Sequence, residues 1–252
     1  MPQPLAQRCG DHQFGRRDTG LYQRYLTVLE IGGSHAHRFK GLVSQLGLTT
    51  LVITDLDAIN QDGQSVQPAR GQNQRTANET PKTWLPKLST VDELIDLPEN
   101  QKSFGEAEHF AIRVAYQRPV SVAITAGESP VESLARTFED SLVFENLSYF
   151  HNADDAVGAI AKFRSAILES ADPATLGEAM FLILKKISKA SFALDLLFSK
   201  EPAELYVPAY LADGLAWLEK QLRRKDQEIP DGARSGLRLD DFHICKPLRG
   251  IM

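Results

Sequence analysis

At 252 residues and 28.0 kDa, with 42% hydrophobic and 24% charged residues, the chain has the composition of a soluble globular protein holding one large domain or two small ones. A formal charge of -5 excludes a generally basic, nucleic-acid-coating protein, yet leaves room for phosphate chemistry conducted through cations. Only two cysteines occur, Cys9 and Cys245, which excludes a disulfide framework and a cysteine zinc site. No apolar stretch approaches the roughly 20 residues that span a bilayer, and Met1 to Arg17 has no apolar signal region, so a cytoplasmic protein without membrane contact is expected.

In chain order, residues 1–20 are polar and read as a lead-in or linker. Leu26-Thr-Val-Leu-Glu30-Ile-Gly-Gly33 and Leu51-Val-Ile-Thr-Asp55-Leu-Asp57 are apolar runs ending in acid. Both predict short strands covered on two faces. Between them, Phe39, Leu42, Val43 and Leu46 form one stripe of a helix over 35–46, with Gly47 as its stop. Residues 59–82, rich in Gln, Asn, Gly and Thr, predict a mobile loop. Thr90 and Glu93 form a capping box. Two further strands follow at 110–117 and 120–125, with a break at Pro119. From about residue 129 the periodicity is helical, over 132–146, 153–170, 174–188, 191–199 and 208–225. The last residues read as a tail that Phe242 and Ile244 could dock.

The chemistry concentrates at the strand ends, where open α/β sheets bind their ligands. Asp55 and Asp57 lie two apart, so an extended backbone points both carboxylates to one side, where they can share one metal or bridge two. The alternative is a loop whose Asp residues cap a helix. Carboxylate oxygens gathered in this way suit Mg²⁺ or Mn²⁺. Neither a G-x-G-x-x-G fingerprint nor a Walker A pattern is present, so no nucleotide loop is expected in this chain.

Three stretches then carry a resemblance. Leu29-Glu30-Ile-Gly-Gly-Ser-His-Ala-His-Arg-Phe-Lys40, Thr50-Leu-Val-Ile-Thr-Asp55-Leu-Asp57 and Glu79-Thr-Pro-Lys-Thr-Trp84-Leu resemble the TOPRIM region of OLD-family (overcoming lysogenization defect) nucleases, over roughly residues 22–200. The resemblance implies an α/β fold: a TOPRIM-like, small, mainly parallel sheet flanked by helices, with an added helical subdomain. The implied organisation is a TOPRIM domain over 21–150, a helical subdomain over 151–225 and a tail over 226–252. The implied activity is metal-dependent cleavage of DNA, with this chain as the nuclease half of an ATPase–nuclease protein and a homodimer as the possible assembly.

Position by position, the resemblance assigns Glu30 as metal ligand or base and Asp55 and Asp57 as metal ligands. Ser34 stands where many OLD enzymes carry a second acid, and His35 or His37 could compensate. Glu139 best matches the downstream acid, with Glu128, Glu132 and Glu145 as rivals. Lys189 best matches the lysine that stabilises the scissile phosphate, beside Lys185 and Lys186. A Lys near a helix C-terminus would equally serve the helix dipole. The implied mechanism uses two ions. Arg38, Lys40, Arg113 and Arg118 are expected to contact DNA phosphates without reading sequence. Two rival readings are another TOPRIM chemistry, for which Tyr116, Tyr206 and Tyr210 lack context as nucleophiles, and a non-catalytic DNA or protein interaction module with a decayed site.

Overall fold

A computed structural model describes residues 21, 24–31, 34–105, 110–125, 127–199 and 204–228, with no side-chain statement for 226–228. The lead-in, the tail with Phe242 and Ile244, and Gly32 and Gly33 lie outside the described residues.

The helix expected after the first acidic run forms as a short 3-10 turn, Ala36–Phe39, continuing into α1 (Lys40–Leu46). Gly47 stops it with φ 60°, and its N–H bonds back to Ser44 and Val43. Only Val43 of the stripe is buried; Leu42 and Leu46 stay exposed. The chain then enters β1 (Thr50–Ile53), followed by β2 (Ala58–Ile59), β3 (Arg75–Thr76), α2 (Glu79–Thr83) and α3 (Val91–Asp96). Thr90 and Glu93 make the expected reciprocal capping box at α3. β4 (Ser103–Phe104) and β5 (Ile112–Ala115) complete a three-stranded sheet in the order β1-β5-β4. Its parallel pairing is β1 with β5, in the register Thr50 to Ile112 through Ile53 to Ala115; β4 runs antiparallel. All four residues of β5 are buried, as a strand covered on both faces requires.

Leu26–Glu30 corrects the expectation of a first strand. Residues 25–31 adopt no regular structure, with Tyr25 97% and Val28 92% exposed. β-Rich composition makes a strand only where a ladder accepts its backbone. The ladder of β1 goes to β5, and among the described residues no strand pairs with its other edge.

The mobile loop expected over 59–82 is also corrected. β2 and β3 pair as an antiparallel ribbon, and the polar residues between them bond the backbone. Asn60 Oδ1 accepts from the amides of Asp62 and Gln64, Gln74 Oε1 accepts from Ala69 N, and Gln67 Nε2 donates to Leu134 O at 2.9 Å. Arg70 reaches Glu132 and Asp96 across the surface. Asn and Gln run through both disordered and side-chain-bonded segments, so composition alone pointed the wrong way.

β6 (Val120–Val122) pairs antiparallel with β7 (Val131–Ser133), which replaces the start of the helix expected from 132. The helices follow: α4 (Phe138–Glu145), α5 (Leu147–His151), α6 (Gly158–Glu169), α7 (Pro173–Leu184), α8 (Lys189–Leu197) and α9 (Ala209–Glu228). Their starts are specified locally: Asp172 caps α7 ahead of Pro173, and Ser188 caps α8. None of the described helices is long and apolar enough to cross a membrane.

Two hydrophobic cores result. Val52, Ile112 and Val114 of the sheet, with Tyr116 just beyond β5, pack with Leu56, Trp84, Val91 and Leu94. Leu142, Phe150, Phe163, Leu176, Met180 and Phe192 form the helical core. α9 crosses the other face of the sheet, where Gly214 lets it sit against Leu51 and Ala115.

The junction of α6 and α8 yields a sharp prediction. Gly158 opens α6 at φ +61°, and a Cβ there would lie 2.3 Å from Asp195 Oδ2. That same oxygen accepts a hydrogen bond from Ala159 N at 2.7 Å. Gly158→Ala should lower stability by at least about 1–2 kcal/mol, the left-handed cost alone, measured by thermal unfolding.

Candidate functional site

The carboxylate cluster lies at the C-terminal ends of the two parallel strands. β1 stops at Ile53, so Asp55 and Asp57 sit beyond the strand rather than in extended chain. Leu56 between them is fully buried and anchored by its N–H to Gln117 Oε1 at 2.7 Å. Asp57 takes φ 49°, a left-handed conformation that Asp tolerates better than most residues. The two carboxylates therefore meet through a fixed turn and not through strand alternation.

Asp55 is held from several directions. Its Oδ1 accepts from Gln117 Nε2 at 3.0 Å and from Phe138 N at 3.1 Å, the first residue of α4. A carboxylate on a helix N-terminus satisfies an orphan amide and meets the positive end of the dipole. This contact also brings in Glu139, the next residue of that first turn. Below, Asn78 Nδ2 donates to Thr54 Oγ1 at 2.6 Å and to the Asp55 carbonyl at 2.7 Å, while its Oδ1 caps α2 at Thr80 N. The Glu79–Leu85 motif thus begins a helix pinned beneath the Asp pair. Gln117 Nε2 also bonds Tyr210 Oη at 3.3 Å, which ties α9 to the site.

Lys189 Nζ lies 2.9 Å from Asp55 Oδ2 and 3.6 Å from Glu139 Oε1. It is the first residue of α8, not a residue near a helix C-terminus, so the dipole opposes its charge. Burial works to lower its pKa, but Asp55, Glu139 and Asp57 overcome that effect and raise it. Arg136 Nη2 pairs with Asp57 Oδ1 at 3.1 Å, and its guanidinium lies over the Phe181 ring. Burial pushes the Asp57 carboxyl above the usual carboxylate range despite Arg136. Asp140, wholly buried, accepts from Arg136 N and from the amide and hydroxyl of Thr137; burial lifts its pKa to about 6.

The side chain of Glu139 is only 5% exposed, and its Oε2 has no hydrogen-bond partner. A buried carboxylate oxygen without a donor is costly, and such an atom calls for an explanation. Hard oxygen donors from Asp55, Asp57 and Glu139 suit a divalent cation in chemistry. As they stand among the described residues, no three His, Cys, Asp or Glu side chains converge closely enough to hold one. Lys189 and Arg136 occupy the carboxylates instead.

Asp55, Asp57, Glu139 and Lys189 are thus brought together. Glu30 lies exposed in the irregular 25–31 stretch. His37 Nδ1 bonds the Ser34 carbonyl, and His35 is exposed. Glu132 pairs with Arg70, and Glu145 accepts from Ala209 N at the start of α9. Arg38 and Lys40 are exposed. Arg113 is buried on β5 and paired with Glu99. Arg118 pairs with Asp213 at 2.8 Å. Tyr116 and Tyr210 are buried, which pushes both phenols up and away from nucleophilic use.

Sequence reading does not single out Gln117, Asn78 or Arg136, and it weighs Tyr210 only as a nucleophile, not as a support for Gln117. Gln117 carries a usable signal, being a polar residue just beyond the mostly apolar β5, the parallel neighbour of β1.

Comparison with known proteins follows the same residues. The family model described as "Overcoming lysogenization defect protein-like, TOPRIM domain" matches residues 6–57, a segment that contains Glu30 and ends on Asp57. The chain is 22% identical over 222 residues to Endonuclease GajA of Bacillus cereus (strain HuB5-5). That alignment takes in 82% of this chain but 29% of the relative, so the chain spans less than a third of its length. No solved structure matches.

Proposed function

We propose that this chain, which resembles the OLD-like TOPRIM proteins in sequence and in its small α/β sheet with added helices, is a divalent-metal-dependent endodeoxyribonuclease. The observation that carries the reading is the buried, unpartnered Oε2 of Glu139 beside Asp55 and Asp57. A decayed site would be expected to lose such a costly group, since an apolar replacement is cheaper.

Asp55, Asp57 and Glu139 would hold Mg²⁺ or Mn²⁺, with two ions as the family resemblance implies. The cations would supply Lewis-acid charge at the phosphate and a lowered pKa for water. Every other part belongs to the chain. Gln117 and the α4 amide occupy Asp55 Oδ1, leaving Oδ2 as its outward donor atom. Arg136 sets the direction of Asp57. The ammonium of Lys189 would offset charge on the scissile phosphate. Exposed Arg38 and Lys40 would contact the DNA backbone, which makes binding salt-dependent and indifferent to sequence. An ATPase region acting with this nuclease, and a homodimer, complete the proposal on the strength of the resemblance.

Glu139→Gln tests the reading with little change of shape. Nicking of supercoiled plasmid in Mn²⁺ should fall by more than the roughly 10–100-fold typical of outer-shell partners. Cleavage equal to wild type would remove Glu139 from the site. Gln117→Leu should fall within that range of about 10–100-fold, because it disorients Asp55 without removing a ligand.

A further inference from the structure

Lys189 sits where its own helix disfavours it. An ammonium at the first residue of α8 faces the positive end of the helix dipole, and the side chain is 67% exposed, free to turn into solvent. It instead reaches across 134 residues of sequence to Asp55 Oδ2, and lies 3.6 Å from Glu139 Oε1. Those atoms belong to the carboxylates assigned above to the metal. With Arg136 on Asp57, each of the three acids has a protein cation beside it. Neighbouring carboxylates repel unless positive charge lies among them. As they stand, no three acids among the described residues converge closely enough to hold an ion.

From this geometry we propose that Lys189 is a resident counter-cation, a competitive occupant of the metal site. It holds the cluster together before a divalent ion arrives, and it must leave Asp55 Oδ2 for that ion to bind. Resting on the nuclease reading, this adds a sequence of events. Metal entry releases the ammonium from the carboxylates, and the released ammonium turns to the phosphate. Lys189 therefore lowers metal affinity while it supports cleavage, two effects with opposite signs in one side chain.

The test is Mn²⁺ binding by titration calorimetry, without DNA, for wild type, Lys189→Ala, Lys189→Gln and Asp55→Ala, with circular dichroism reporting the fold. Removing the ammonium should tighten Mn²⁺ binding by about fivefold, the scale of one partly exposed ion pair, in both Lys189 variants. Plasmid cleavage by the same variants should fall. Unchanged or weaker Mn²⁺ binding in both Lys189 variants, with binding lost in Asp55→Ala, would overturn the competitor role and leave the nuclease reading standing. Absence of Mn²⁺ binding in wild type and both Lys189 variants would overturn the two together.

Discussion

Asp55→Asn should reduce metal-dependent plasmid cleavage by on the order of 10²–10³-fold or more while leaving the fold intact. The side chain keeps its size, and the amide oxygen can still accept from Gln117 Nε2 and Phe138 N. What changes is Oδ2, where an NH₂ group would face Lys189 Nζ and any incoming cation. Asparagine therefore separates charge from scaffolding better than alanine, which would also strand the α4 amide. A gel assay of supercoiled plasmid, run beside circular dichroism, reads both. Cleavage within twofold of wild type would show that Asp55 serves only to cap α4.

Phe163→Ala is expected to give the largest loss of stability, about 3–5 kcal/mol. Phe163 is fully buried and sits between two other rings, edge-to-face with Phe150 at 6.2 Å and with Phe192 at 5.6 Å. It joins α5, α6 and α8, so the cavity cannot be closed by one helix moving alone. Urea unfolding should show a lower midpoint, and the melting temperature should fall by roughly 10 °C. A cost below about 1 kcal/mol would mean that the three rings are not a rigid unit. Because α8 carries Lys189, the variant should also cleave more slowly than its residual folded fraction explains.

Sequence legibility followed the physics of each segment. A helix start is readable where a cap is complete in sequence, as at Thr90 with Glu93, because that signal is local. The run 26–30 was misread because apolar β-rich composition reports a wish to be covered, whereas a strand also needs an edge that accepts it. Glu132 and Ser133 fall within the expected helix because their residues suit either state; pairing with β6 decides the matter from a distance. The polar stretch after Asp57 looked loose because Gln67 and Gln74 reveal their backbone partners only in three dimensions.

At the site, Asp55 and Asp57 stood out because acids ending a buried strand are rare without a partner. The supporting residues were hidden by sequence separation: Gln117 lies 62 positions from Asp55, and Lys189 lies 134. Lys189 was legible only through resemblance, and its helix position reversed the simpler explanation. A lysine at a helix start has no dipole reason to be there, which strengthens the case that the carboxylates hold it.

The most direct measurement is the cation dependence of plasmid cleavage by the wild-type chain, in EDTA, Ca²⁺, Mg²⁺ and Mn²⁺. The account predicts intact supercoiled DNA in EDTA, and nicked or linear products when Mg²⁺ or Mn²⁺ is supplied. Equal cleavage in EDTA, or intact DNA with every cation, would contradict it.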